Sequence, residues 1–261
     1  MIHILSPAKS LDFETDLKIK ESSVPTLLKH SFKLIDVLKK KTSKELQDLM
    51  SISENLGNLN HERYLKWIGA EQLSNNSRQA IFAFTGDVYQ GLEAQTLSKS
   101  DVEYAQSHLR ILSGLYGVLK PLDIIEPYRL EMGTSLKVGN KKSLYEFWGD
   151  EITKELNEAL KNHEEKVIIN LASNEYFKSV KKNELDGDII SPQFKDAKNG
   201  KYKIIAFYAK KARGLMSRYM IENKISRIED LQGFDYGGYR YNSDLSTVKK
   251  PVFTREENQS N

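Results

Sequence analysis

Two apolar runs constrain the fold more than any other feature of the chain. Val167–Ala172 (VIINLA) is almost continuously apolar, and Ile2–Leu5 (IHIL) is similar, closed by Ser6-Pro7. A strand of that kind is buried on both faces, so helices must cover both sides of its sheet. Ala80–Thr85 (AIFAFT), Ile189–Phe194 and Tyr202–Ala209 read as further strands, with Lys198-Asn199-Gly200-Lys201 as the hairpin turn between the last two. Pro25–Lys41 carries Leu27, Leu28, Phe32, Ile35 and Leu38 at helical spacing, and about 144–160 carries Phe147, Trp148, Ile152, Leu156 and Leu160. No repeat or linker interrupts the pattern. The expectation is an α+β fold, a single compact domain over residues 1–261, with a mixed β-sheet flanked by helices. Ile2–Leu5, Ala80–Phe84, Val167–Leu171 and Tyr202–Phe207 are expected to share that sheet. Gly237-Gly238 opens a polar C-terminal hairpin, and Arg255–Asn261 reads as a frayed tail.

The stretch Ala105–Gly133 (AQSHLRILSGLYGVLKPLDIIEPYRLEMG) stands out within that frame. Val102, Ala105, Leu109 and Leu112 fall three or four apart, which predicts a helix. Gly114 and Gly117 bracket a tight reversal, and a second apolar piece runs from Val118 to Ile125 before Pro127. Helix, Gly-x-x-Gly turn and second helical piece, at about 101–130, resemble a helix-hairpin-helix, whose turn offers backbone N–H groups to a nucleic-acid phosphate. Lys120 and Arg110 flank it. An ordinary helix connection fits the same residues.

Three further segments place cations just beyond predicted strands. Ser6–Ser10 holds Lys9, Ser173–Lys178 holds Glu175 and Lys178, and Lys210–Arg218 holds four cations, within a run from Lys201 to Met220 of six basic residues and no acidic one. Tyr202, Phe207, Tyr208 and Tyr219 are interleaved with that last run, a pattern suited to phosphate or nucleic acid. In sheets covered by helices, ligands collect at such strand ends. Glu131 and Glu175 are candidates for an acid/base pair. The five histidines are scattered, and no phosphate-loop, dinucleotide, nucleophile-elbow or zinc-protease motif is present. No metal site and no cofactor are expected. Catalytic residues stay unassigned.

The 261 residues include no cysteine, which excludes disulfides, thiolate nucleophiles and Cys-ligated metals. There is no 18-residue apolar run and no basic-then-apolar N-terminal stretch, so the expectation is a cytoplasmic protein with no membrane association. A net charge of +3 is too small to name a partner.

The segments SPAKSLDF, AFTGDVYQGL, HLRILSGLYGVLKPLDIIEPYRLEMG, LYEFWGDEIT, INLASNEYFKSV and FYAKKARGLMSRY, in that order, resemble the bacterial YaaA family of peroxide stress proteins. The resemblance covers nearly the whole chain to about Tyr219. It implies a cytoplasmic protein that limits oxidative damage, with lowered unincorporated iron as the link. It also implies a helix-hairpin-helix at Leu112–Leu119 (Gly114, Gly117) with Lys120, and a positively charged cleft that binds double-stranded DNA; backbone donors and lysines are phosphate ligands, so that binding is expected to be insensitive to sequence. The cleft's basic residues would be Lys9, Arg129, Lys178, Lys210, Lys211, Arg213 and Arg218. The family brings no settled reaction. A different reading is therefore kept beside DNA binding: an enzyme acting on a phosphorylated or nucleotide-like small anion in the same cleft. Sites that serve only a protein partner are a third.

Overall fold

A computed structural model describes residues 1–257 of the chain. Its centre is the strand Ile2–Leu5, buried at all four positions. Leu109–Ser113 pairs with it in parallel on one side, and Val167–Asn170 pairs in parallel on the other. Asp188–Ile190 extends the sheet in parallel beyond Val167–Asn170, and Gly117–Leu119 closes the opposite edge antiparallel. Five strands, four of them parallel, thus run in the order Gly117–Leu119, Leu109–Ser113, Ile2–Leu5, Val167–Asn170, Asp188–Ile190. The chain leaves Ile2–Leu5 for one neighbour and returns for the other. That reversal creates a crevice at the carboxyl ends of the strands.

A second, four-stranded sheet joins Lys201–Lys203, Gln193–Lys198, Val252–Arg255 and Arg240–Tyr241. Its buried ion pair holds the C-terminal strand in place. Arg255 donates from Nε to Asp196 Oδ1 at 2.7 Å, its Nη2 stands 2.6 Å from the same oxygen in the ion pair, and its guanidinium lies 4.7 Å from the ring centres of Tyr208 and Tyr239. The helices include Leu28–Leu38, Ser43–Met50, Glu54–Lys66, Lys99–His108, Glu151–Leu160 and the long Ala206–Glu222. The fold is α+β with one continuous apolar core. No helix is long and apolar enough to cross a membrane, among the described residues.

Several sequence expectations give way. The helix-hairpin-helix is not formed: helix Lys99–His108 ends one residue before strand Leu109–Ser113, which turns into Gly117–Leu119 as a β-hairpin of the central sheet. Leu109 and Leu112 keep a helical spacing by coincidence. Pairing with Ile2–Leu5 decides the conformation, because tertiary context overrides a short local pattern. The turn itself is core: Leu115 and Tyr116 are buried, Trp148 Nε1 donates to the Gly114 carbonyl at 3.0 Å, and Trp67 Nε1 donates to the Tyr116 hydroxyl at 2.9 Å.

Ala80–Ala83 is a buried helical turn, leaving only Phe84–Thr85 extended, against Ser10–Leu11. An apolar run this short does not distinguish strand from buried helix. Pro192, lacking an N–H, splits the run 189–194 between the two sheets. Tyr202–Ala209 is strand only through Lys203 and helix from Ala206, where Ala, Lys, Arg, Leu and Met favour helix. The helix at 144–160 breaks at Gly149, φ 53°. Ile2–Leu5 and Val167–Asn170 do share one sheet, whereas the other two runs do not join it. The expected tail is partly wrong, because Arg255 is buried; residues 258–261 lie outside the described residues.

Two contacts seat the long helix. Gly214 and Gly91 meet where Ala206–Glu222 crosses helix Asp87–Leu92. A methyl group at Gly214 would collide with the Val88 carbonyl oxygen, and one at Gly91 with the Lys211 carbonyl oxygen. His3, fully buried in the central strand, lies 2.9 Å from Ser217 Oγ through Nε2.

Gly214→Ala is therefore expected to cost about 3 kcal/mol, the upper end for overpacking, in urea unfolding. A loss below about 0.5 kcal/mol, the ordinary surface range, would mean that the crossing tolerates a wider separation. Burial lowers the His3 pKa to about 3, well below an unfolded imidazole near 6.5. Below pH 6.5 the unfolded chain gains a proton that the folded chain refuses, so stability is full above that pH and falls toward pH 3. Each such histidine contributes up to about 1.4 kcal/mol per pH unit, and His163, lowered by burial to about 4, acts in the same direction. His3→Gln should flatten the slope between pH 6 and 4. An unchanged slope would place the proton uptake elsewhere.

Candidate ligand cleft

At the carboxyl ends of Ile2–Leu5 and Val167–Asn170 lies a cleft of about 470 Å³. Five segments build it, one of them through Glu131 alone. Ser6–Ser10 follows the first strand, Leu171–Tyr176 follows the second, Thr85–Tyr89 leads into helix Asp87–Leu92, and the long helix contributes Lys210 and Arg213. The strand ends are cross-linked: the Ser173 N–H donates to Ser6 Oγ at 2.9 Å, and the Tyr89 hydroxyl donates to the Ser6 carbonyl at 3.0 Å. Ser173 also caps the short helix Asn174–Phe177, which sets Glu175 at the rim. Gly86, at φ 108°, holds a backbone conformation that only glycine adopts easily, where the chain enters the cleft.

The charges in the lining are balanced. Lys9, Lys210 and Arg213 stand against Asp87, Glu131 and Glu175. Lys9 pairs with Glu131 at 2.8 Å, and Arg129, just behind, donates to the other Glu131 oxygen at 3.0 Å. Lys210 lies 3.7 Å from Asp87. Two groups are left over. Arg213, half-buried, makes no hydrogen bond or ion pair among the described residues, and desolvation alone lowers its pKa. Glu175 accepts one bond, from the Gly133 N–H at 2.8 Å, and no cation of the described residues pairs with it.

The sequence-derived candidates thus separate. Lys9, Glu131, Glu175, Lys210 and Arg213 meet in the cleft, with Arg129 behind it. Lys211 is exposed on the long helix outside the cleft lining. Arg218 is spent on structure, donating to the Leu92 carbonyl at 3.1 Å, to Thr96 Oγ1 at 2.7 Å and to Glu222 at 2.7 Å. Lys178 lies over the Tyr145 ring, 5.0 Å from its centre, and faces a separate groove. Lys120 lines another pocket with Arg110 and His163. Gly114 and Gly117 are buried within the core. Sequence reasoning missed Asp87 as a cleft residue, and it placed Ser6 and Ser173 in strand-end segments without naming either as a site residue. Their signal was present, since each directly follows or precedes an apolar run ending in small polar residues.

The sequence matches the family model described as peroxide stress protein YaaA over residues 1–245. A "UPF0246 protein" from Shewanella amazonensis is 54% identical over 257 residues, covering 98% of this chain and 100% of that protein. A second, from Shewanella loihica, is 51% identical over 257 residues, covering 98% and 99%.

An unpartnered, half-desolvated guanidinium burdens the fold. Replacing Arg213 with Met, which keeps the stem and removes the charge, is expected to stabilise the ligand-free protein by about 1 kcal/mol in urea unfolding. A loss of stability of that size would mean that Arg213 supports the fold rather than the cleft. The match along the chain and the two full-length relatives lead to one assignment: this chain belongs to the peroxide stress protein YaaA family.

Proposed function

We propose that the chain serves in peroxide-stress defence by binding, and acting on, a phosphorylated or nucleotide-like small molecule in this cleft. Arg213 carries the proposal. A cation held half out of water with no partner gains most from a ligand that brings an anion, and a guanidinium binds phosphate through paired donors. The cleft volume suits a small molecule. Its equal carboxylates repel a polyanion but tolerate one phosphate at the Arg213 wall. Glu175, with one oxygen free, is the group available to move a proton, whereas both Glu131 oxygens are committed to cations.

Double-stranded DNA is the second reading, and a different surface favours it. Lys198, Lys201, Lys203 and Lys211 are exposed, and Tyr202 and Phe207 beside them keep 37% and 56% of their surface in solvent. Lysines of this kind contact phosphate and read no sequence. No group of three metal-ligating side chains converges among the described residues.

Titration with adenosine monophosphate and with a 20-base-pair duplex, at several salt concentrations, separates the readings. Arg213→Met is expected to weaken the nucleotide at least tenfold and leave the duplex unchanged. Duplex affinity should fall with log salt at a slope of about −3 to −4, from four lysines at roughly −0.9 each. Nucleotide binding indifferent to Arg213→Met would overturn the cleft reading. A duplex slope flattened by about 2 in the Lys210/Arg213 double variant would move DNA into the cleft instead.

A further inference from the structure

The two unpaired charges of the cleft specify more than an anion. Lys9 is matched by Glu131 at 2.8 Å and Lys210 by Asp87 at 3.7 Å, so neither pair demands anything of a ligand. Arg213 and Glu175 remain, opposite in sign, both lining the same cavity and forming no ion pair with each other. Glu175 is exposed at the rim and oriented by two contacts. Its Oε1 accepts from the Gly133 N–H at 2.8 Å, and its own carbonyl accepts from the Tyr145 hydroxyl at 2.9 Å. Gly133 has no side chain to push it away, since a Cβ there would stand 3.1 Å from Oε1. The carboxylate is thus held with one oxygen unbonded at the rim.

Resting on the reading of the cleft as a small-anion site, we propose that its ligand is amphoteric: an anionic group at Arg213 and a primary ammonium at Glu175. A ligand bearing both charges relieves both walls at once, and each charge is recognised by the partner that the protein leaves without one. A simple phosphate satisfies Arg213 and brings a second negative charge toward Glu175, which opposes it. The chemistry belongs to phosphorylated amines and their carboxylate counterparts, the amino acids. It also accounts for a lining whose cations and carboxylates are equal in number, an arrangement with no advantage for a uniformly negative ligand.

Calorimetric titration tests it with four probes: inorganic phosphate, 2-aminoethyl phosphate, 3-aminopropyl phosphate and glycine. Each is titrated into the parent chain, Glu175→Gln and Arg213→Met, with thermal melting to establish that the variants fold. The expected result is that an aminoalkyl phosphate binds the parent at least tenfold tighter than inorganic phosphate. Glu175→Gln should erase that preference while leaving phosphate affinity within about twofold, and Arg213→Met should weaken every phosphate probe. Equal binding of phosphate and both aminoalkyl phosphates, or a preference that survives Glu175→Gln, overturns the amphoteric ligand and leaves the small-anion site standing. Phosphate probes that bind unchanged to Arg213→Met, or the failure of all four probes to bind the parent, overturn both. Glycine binding that depends on both residues identifies a carboxylate, rather than a phosphate, as the anionic group, and supports the proposal.

Discussion

The crossing of Ala206–Glu222 over Asp87–Leu92 is the constraint on which the cleft depends. Two glycines, Gly91 and Gly214, bring the helix backbones into contact, with no side chain between them. Close approach turns a small sequence choice into a fixed geometry, because packed interiors leave no slack for a displaced helix. The same crossing faces Lys210 with Asp87 and points Arg213 at the ends of the central strands. The buried bond between His3 and Ser217 anchors the far side of the long helix to the strand whose end forms the cleft floor. Scaffold and site are consequently one object. The residues that hold the helix down are also those that aim its charges.

The sequence disclosed the central strands well, because an uninterrupted apolar run has few alternatives. Ile2–Leu5 and Val167–Asn170 lie side by side as their composition requires. It disclosed the 109–119 segment badly. Leu109, Ile111 and Leu112 satisfy a helix and a strand equally, and the deciding partner, Ile2–Leu5, is distant in sequence. Ala80–Ala83 failed in the opposite direction, since its backbone N–H groups go to the Asp123 and Pro121 carbonyls, a loop that no local pattern reveals. For the site, cations following strands were the useful signal. It gathered Lys9, Lys210 and Arg213 from far-apart segments, together with Glu131 and Glu175. It could not separate them from Arg218 or Lys178, whose charges are absorbed by a carboxylate or an aromatic ring. Charge is visible in a sequence, but its neutralisation is a property of the fold.

Neutralisation also changes what the basic segment means. Six cations without an acidic residue, between Lys201 and Met220, read as a continuous positive surface. Two of them lie on the strand Lys201–Lys203 and four on the long helix, and the cleft receives only Lys210 and Arg213. Asp87 meets Lys210, Glu131 meets Lys9 from elsewhere in the chain, and Glu175 meets no cation of the described residues. A surface that seemed dedicated to repulsion between like charges becomes a small cavity of paired ions with one cation and one anion to spare. Selectivity in such a cavity comes from what is left unpaired, because every satisfied pair is indifferent to the ligand.

The position of Ile2–Leu5 bears on how the molecule reaches this state. Its residues come first in the chain, yet they form the middle of the sheet, against partners at 109–111 and 168–170. Nothing local can hold the segment until both flanking strands exist and find it. Closing loops of that span entails an entropic cost before any pairing rewards it, and topologies rich in such contacts fold slowly. A short, unpaired apolar strand is also a template for another chain's edge. Refolding of this protein is therefore expected to be slow and concentration-sensitive, with the cleft assembled only once both neighbours have captured this strand.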